Sequence, residues 1–526
     1  MSEETITITK KEYEELKKTN EELIQRNTYL WEQIRLAKKN RFGKSSEQTK
    51  RILPVPEQSS FIFNEIEQEA DRKEQEESES KTETTIVKEH TRRKKSMPNL
   101  DDLPENIKKE VIENELPEEE RFCSRCGAPL VEIGVDVIQR VKIIPAQVII
   151  VETRTHIYKC QECLEQYRKM NVVRAKEEAP VIPGGIATAE SVAYIATEKF
   201  VMHSPLYRLE QQFKFAGIPI SRQTMSNWLL KATKLYLSPI WKRMKERLLK
   251  EEILHADETT LQVLHEPDRP AERKSYMWLY RTGRESKQQI VLYEYKETRE
   301  AKHPKEFLKG YKGYLHVDGY EGYHRLPSDI HIVGCMAHAR RYFDEAITAE
   351  GKNAPMDSPA RKAIEYYDKL FLFEEQIKDL SPEERTKYRK EHSVPVLNEF
   401  HEWLTTIFAA PKSALGKAIH YTLEQWPYLT AFMEDGRLEI SNNRAERSIK
   451  PFVIGRKNFL FANTPKGAYS SAVIFSIIET AKENGLDPYR YLVWVLKTAP
   501  TLKMNNPQQV DLLLPAHAPS HCLTGK

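Results

Sequence analysis

Net charge, cysteine, glycine and long apolar runs are all scarce in these 526 residues. Lys and Arg number 81 against 78 Asp and Glu, a formal sum of +3, so composition offers no global electrostatic argument for a polyanionic partner. With 19 Gly and 29 Pro the chain is not collagenous. No run of about eighteen apolar residues occurs, and the opening MSEETITITKKEYEEL lacks the apolar stretch of a signal peptide. These absences predict a soluble cytoplasmic protein with no membrane partner. Six cysteines in so long a chain do not build a disulfide scaffold. The length predicts several units and at least one sizeable core.

What is present divides the chain into segments. Within residues 1–50, Leu16, Leu23, Leu30 and Ala37 recur every seven residues, with Tyr13, Asn20, Asn27 and Ile34 at the partner positions. Leucine at d with asparagine at a favours a parallel two-stranded coil and homodimerisation. The alternative is a lone amphipathic helix packed on the chain's own core. Residues 51–120 read as a charged linker: nine acids against three bases fall between 64 and 83, a composition that cannot bury enough apolar surface to order itself. That acidic run hides basic character elsewhere, so the sum of +3 is a cancellation. The cluster Arg92, Arg93, Lys94 and Lys95 reads as a solvated charge run. Residues 121–170 hold a Val- and Ile-rich, β-like stretch, VDVIQRVKIIPAQVIIVETRTHIYK.

Cys123 and Cys126, then Cys160 and Cys163, form two Cys-x-x-Cys pairs with thirty-three residues between them. Two such knuckles complete a closed tetrahedral S4 site, a structural zinc that folds the module and leaves no position for water. A redox dithiol or unrelated surface thiols are the competing readings.

Residues 180–245 read as helical. PLYRLEQQFKFAGIPISRQTMSNWLLKATKLY predicts a helix, a turn at Gly217 to Ile220, and a second helix capped by Ser221. Arg222, Gln223, Thr224 and Asn227 are the polar residues a recognition helix needs near its start, with Trp228, Leu229 and Leu230 facing inward. Two packed helices without DNA contact would look much the same.

From 250 to 465 the pattern is strand, strand, strand, helix, strand, helix, strand, an α/β core with a mixed sheet. A helical, polar stretch from about 345 to 435 interrupts it, and 466–526 form a helical tail with a break at Gly485 to Pro488. Asp257, in HADETTLQV, and Asp318, at the end of YLHVDGY, are acids inside apolar strands, where they are costly unless they bind something. Glu446 sits among Arg444, Arg447, Lys450, Arg456 and Lys457, and Arg444, Arg447 and Lys450 are expected to contact DNA. Three such carboxylates can hold two Mg²⁺ ions for in-line displacement at phosphorus, although each taken alone suits a surface or capping role. His255 and His316 stand two residues before an aspartate and share its face; a structural role competes with contact to metal or phosphate. His338 and Arg341 lie one helical turn apart, suited to a phosphate contact or a solvated helix end.

Together these motifs resemble the transposases of the insertion-sequence 66 type. The resemblance rests on the heptad helix ending in RFGKSSEQ, the double Cys-x-x-Cys module, PLYRLEQQFKFAGIPISRQTMSNW, HADET, YLHVDGYEGYH, CMAHARRYF, SNNRAERSIKPFVIGRKNFLF and GLDPYRYLVWVL. It implies a multidomain α/β protein with an RNase H-like (retroviral-integrase-like) catalytic core and a DDE triad at Asp257, Asp318 and Glu446. It further implies a helical insertion between the second and third acids. The expected activity is Mg²⁺-dependent cleavage and strand transfer at terminal inverted repeats and target DNA, in a bacterial, nucleoid-associated setting. Accessory proteins encoded by the same element are expected partners. A sequence-specific regulator using only the zinc and helix-turn-helix modules is the alternative.

Overall fold

The computed structural model describes residues 10–42, 148–160, 171–176, 179–351, 355 and 357–524. The chain divides into two compact units. In the smaller, β1 (Ile157–Cys160) and β2 (Asn171–Arg174) pair antiparallel, Cys160 opposite Asn171. Of the β-like stretch, residues 135–147 lie outside the described residues and 157–159 belong to β1, whereas residues 148–156 depart from expectation: they carry no strand, and Val148, Ile149, Ile150 and Val151 are exposed. β-branched residues favour a strand only when a neighbour completes the pleated surface, and among the described residues none does. Cys123, Cys126, Cys163 and the charged linker lie outside the described residues.

The larger unit opens with α1 (Lys10–Phe42), one unbroken helix ending at the predicted RF. Its seam residues Leu23, Leu30 and Ile34 are exposed. The helix touches the rest of the unit through its polar flank: Arg35 donates to the carbonyls of Ala349 and Glu350 at 2.6 and 2.7 Å, and the Ala414 amide donates to Glu32 at 3.2 Å.

Helices α2 (Ala189–Phe200), α3 (Leu206–Phe215) and α4 (Arg222–Ala232) follow, and a π turn joins α4 to α5 (Ser238–Leu248). The turn before α4 runs through Gly217 at φ +84°, a left-handed conformation that glycine adopts without a Cβ penalty. Ser221 then caps α4 by accepting the Thr224 amide at 3.1 Å. Leu209, Phe213, Met225, Trp228 and Leu229 are buried in the same hydrophobic core as the sheet; Leu230 is only half-buried.

The sheet comprises β3 (Ile253–Gln262), β4 (Lys274–Thr282), β5 (Val291–Lys296), β6 (Gly313–His316) and β7 (Ile330–Val333). Its order is β5-β4-β3-β6-β7, with β3, β4 and β5 antiparallel and β6 and β7 parallel to β3. The short helices α6 (Lys302–Phe307) and α7 (Glu321–His324) make the crossovers. A helical insertion follows β7, comprising α8 (Met336–Glu350), α9 (Pro359–Gln376), α10 (Pro382–Tyr388), α11 (Val394–Thr406), α12 (Ala414–Glu424) and α13 (Trp426–Thr430). It has its own core around Phe343, Tyr367, Leu370 and Phe400. The chain returns through α14 (Asn443–Phe459), α15 (Pro465–Glu483) and α16 (Pro488–Thr498).

α15 solves the problem of the β5 edge, where alternate backbone groups have no strand partner. Thr480 Oγ1 accepts from the Val291 amide and donates to its carbonyl, both at 3.0 Å, and Ser476 Oγ accepts the Tyr293 amide at 2.8 Å. Hydroxyls four apart on a helix thus match amides two apart on a strand. No helix among the described residues is long and apolar enough to cross a membrane.

Buried Arg389 fastens the end of the insertion. It holds the Glu374 carboxylate at 2.8 and 2.6 Å and donates to the carbonyls of Phe432, Asp435 and Leu438 at 2.8, 3.1 and 2.8 Å. Arg389→Met should destabilise the chain by about 3–5 kcal/mol, because the partly buried Glu374 carboxylate and the carbonyls of Phe432, Asp435 and Leu438 all lose their partner. Thermal unfolding monitored by circular dichroism would register the loss; an unchanged melting temperature would deny Arg389 this role.

Candidate active site

Register brings the first two acids together. His255 on β3 pairs with His316 on β6 in parallel, so two residues further Asp257 and Asp318 stand side by side at the carboxyl end of β6. Asp257 accepts the Glu258 amide at 2.8 Å, and Asp318 accepts the Tyr320 amide at 3.0 Å. Gly319 leaves the space that the Tyr421 ring of α12 fills; a Cβ there would collide with it. The insertion therefore packs directly on the loop that carries Asp318.

Glu446 arrives from the first turn of α14, a helix fastened to the sheet along its length. Asn442 is almost fully buried. Its side chain donates to the Ala256 carbonyl at 2.8 Å and meets His255 Nδ1 at 3.0 Å, while its amide donates to Cys335 Sγ at 3.1 Å. Midway, Ser448 meets buried Arg281 of β4, whose guanidinium also grips Glu483 of α15 at 2.9 Å. Towards the far end Arg456 bonds Thr259 and Thr260 of β3. The helix that carries the third acid is thus held near both ends by the strand that carries the first.

The electrostatics follow from this crowding. Burial drives the Asp257 carboxyl well above its usual range, and the negative charges of Glu258, Asp318 and Glu446 push it further the same way. Glu258, on the opposite face of β3, is raised by burial, although Arg299 donates to it at 2.7 Å and Tyr323 at 2.5 Å. Arg299 also lies 3.6 Å from Asp318. Glu446 is flanked by His338 Nδ1 at 3.4 Å and Arg341 at 3.6 Å.

The histidines before the aspartates have a structural place. His255 and His316 are fully buried and stack at 4.2 Å; His255 Nε2 lies 3.1 Å from Glu439. Burial and the neighbouring His255 hold His316 well below the ordinary imidazole range. Burial alone would raise Glu439, but His255 and Arg444 outweigh it and hold the carboxyl low. Arg444 is correspondingly turned to Glu439 at 2.9 Å, and Arg340 to Asp368 at 2.8 Å, which removes both from the exposed basic surface. Arg447 is exposed and Lys450 half-buried one turn on. On α4, Arg222, Gln223 and Asn227 are exposed, whereas the Thr224 hydroxyl is engaged with Ser221 at 2.9 Å in the cap.

Sequence reasoning missed Glu258, Arg299, Glu439 and Asn442 as neighbours of the acids. Period-2 alternation beside Asp257 points to Glu258 on the other face; no local pattern marks Arg299. Asn442 stands at the N-cap of α14, yet its side chain makes no cap bond and is given to β3.

These features define a class: an α/β protein with a carboxylate cluster at the carboxyl end of a mixed sheet, beside a cation-bearing helix. The model of the transposase IS66 family matches residues 184–470, more than half of the chain, and that of the IS66 C-terminal element matches 476–516. The zinc-finger binding domain of transposase IS66 matches 120–163, which includes all four paired cysteines, and the transposase C of IS166 homeodomain matches 29–112. The chain belongs to the IS66 transposase family. Similar proteins include "Uncharacterized protein y4hP" of Sinorhizobium fredii (strain NBRC 101917 / NGR234), 31% identical over 86% of this chain and 82% of its own length. "Uncharacterized protein y4jD" of the same organism is 31% identical over 77% and 79%.

Asn442→Ala strips the Ala256 carbonyl and His255 of a buried partner. The expected cost is about 1–3 kcal/mol per group left unsatisfied, read as a lower urea midpoint at unchanged slope. An unaltered midpoint would contradict the anchoring role.

Proposed function

We propose that this chain is a DDE-type DNA transposase that binds the terminal inverted repeats of its own element. It hydrolyses a phosphodiester at each end and directs the freed 3′-hydroxyl at target DNA. The observation that carries this reading is the meeting of Asp257 and Asp318, from adjacent strands, with Glu446 from a helix fastened to the first of those strands. Three antiparallel strands followed by two parallel ones beyond β3, in the order β5-β4-β3-β6-β7, support an RNase H-like core, with the helical insertion lying between the second and third acids.

The donor set suits a hard divalent cation. Carboxylate oxygens dominate, Asp257 is burdened by three negative neighbours, and Glu446 Oε1 is buried without a hydrogen-bond partner. Two Mg²⁺ ions bound there would supply the charge that activates the attacking oxygen and stabilises the leaving one. Asp257, Asp318 and Glu446 would hold these ions. Arg341 and His338 beside Glu446, with Arg447 and Lys450 along α14, would hold the phosphate backbone; Arg444, engaged with Glu439, would orient Glu446's helix and not reach DNA directly.

Exposed Arg222, Gln223 and Asn227 at the start of α4 support major-groove reading by the second helix of a helix-turn-helix, with Thr224 fixing the helix start. The exposed seam of α1 supports a homodimer or higher oligomer. Cys123, Cys126, Cys160 and Cys163 would bind one structural Zn²⁺. Helper proteins of the same element and residence on the nucleoid complete the picture. A regulator that only binds DNA would leave the carboxylate cluster without a role.

Asp257→Asn should abolish Mg²⁺-dependent nicking of end-bearing DNA while end binding, followed by gel shift, stays within about twofold, since the first acid serves the chemistry and not the docking. A variant that still cuts would remove Asp257 from the triad. Cys123→Ser should lower the bound zinc by one equivalent per chain, measured by atomic emission on purified protein. Unchanged zinc content would defeat the four-cysteine site.

A further inference from the structure

One cluster at the site combines donors of three kinds. Cys335 is the residue before α8, His338 lies one turn into that helix and Glu446 comes from α14; a sulfur, an imidazole nitrogen and a carboxylate oxygen lie within 4.8 Å of one another. His338 Nδ1 and Glu446 Oε1 are buried, each without a hydrogen-bond partner, and only 3.4 Å apart. Two such atoms facing each other require an explanation, and a shared cation supplies one. Arg341 lies against the other oxygen, Oε2, so Oε1 is the one available.

Cys335 is prepared for the same partner. Its sulfur accepts the Asn442 amide at 3.1 Å. Binding of a cation through this sulfur releases the thiol proton to solvent.

We propose that Cys335, His338 and Glu446 form a site for a single thiophilic divalent cation of the zinc class, whose binding withdraws Glu446 from the Mg²⁺ site. Sulfur, nitrogen and oxygen together suit Zn²⁺, Co²⁺ or Cd²⁺ and are poorly matched to Mg²⁺. Donors around one tetrahedral ion stand about 3.5 Å apart, so closing the set needs side-chain movements of about 1 Å, and a fourth position is left for water. The metal site stands on geometry alone; only the withdrawal of Glu446 rests on the proposed triad. Excess zinc would then slow a protein whose cysteine module itself uses zinc.

The test uses the full chain, its cysteine module already loaded with zinc, titrated with Co²⁺ and followed by thiolate-to-cobalt charge-transfer absorption. Cys335→Ser and His338→Ala should each weaken Co²⁺ binding by at least about tenfold; His338→Ala keeps the test open if the buried Cys335→Ser fails to fold. In parallel, nicking in Mg²⁺ is measured with and without added Zn²⁺, and the ratio is compared within each protein. Zinc should depress the wild-type ratio and affect the Cys335→Ser ratio far less. Identical cobalt spectra in all three proteins overturn the site, and equal zinc sensitivity overturns the antagonism. Cobalt bound through Cys335 in a chain that never nicks DNA upholds the metal site and refutes the transposase reading.

Discussion

Everything near the site depends on holding like charges together. Asp257, Glu258, Asp318 and Glu446 are close enough for Asp257 to feel all three of the others, and such a cluster repels itself unless its backbone supports are fixed. The third acid is the difficult one, because a whole helical insertion separates it in sequence from the second. The Asn442 side chain answers this by bonding to Ala256, the residue immediately before Asp257. This amide fixes the start of the helix against the strand, and Arg456 fixes its far end.

The insertion is part of that support. It places Tyr421 against Gly319 and so braces the Asp318 loop. Its last segment is drawn in by Arg389, and the Met336 amide donates to the Ile440 carbonyl at 3.1 Å, joining the segment's start to its end. His255, His316 and Glu439 fill the space beneath: the imidazoles stack at 4.2 Å, His255 Nε2 lies 3.1 Å from the Glu439 carboxylate, and the Glu439 amide donates to His316 Nε2 at 3.4 Å, while His316 Nδ1 is buried without a hydrogen-bond partner.

Much of this was legible in the sequence. The strand order from Ile253 to Val333, the break at Gly485, the Gly217 turn and the Ser221 cap follow from periodicity and capping chemistry, which are local. Asp257 and Asp318 were legible because acids inside apolar strands are costly. Contacts between distant residues left no such trace. Nothing in KETREA marks Arg299 as a neighbour of Glu258, and charge alone does not reveal that Arg444 pairs with Glu439. Residues 148–156, the described part of the β-rich stretch before Ile157, show the opposite failure, where propensity has no partner strand among the described residues.

The hydroxyl ladder between α15 and β5 carries a consequence for the fate of incomplete chains. A product ending before residue 465 would lose Ser476 and Thr480 and leave Val291 and Tyr293 with open backbone groups on an apolar edge. Such fragments would stick to one another instead of folding. Damaged copies of the gene would then yield aggregates for proteolysis in place of soluble fragments.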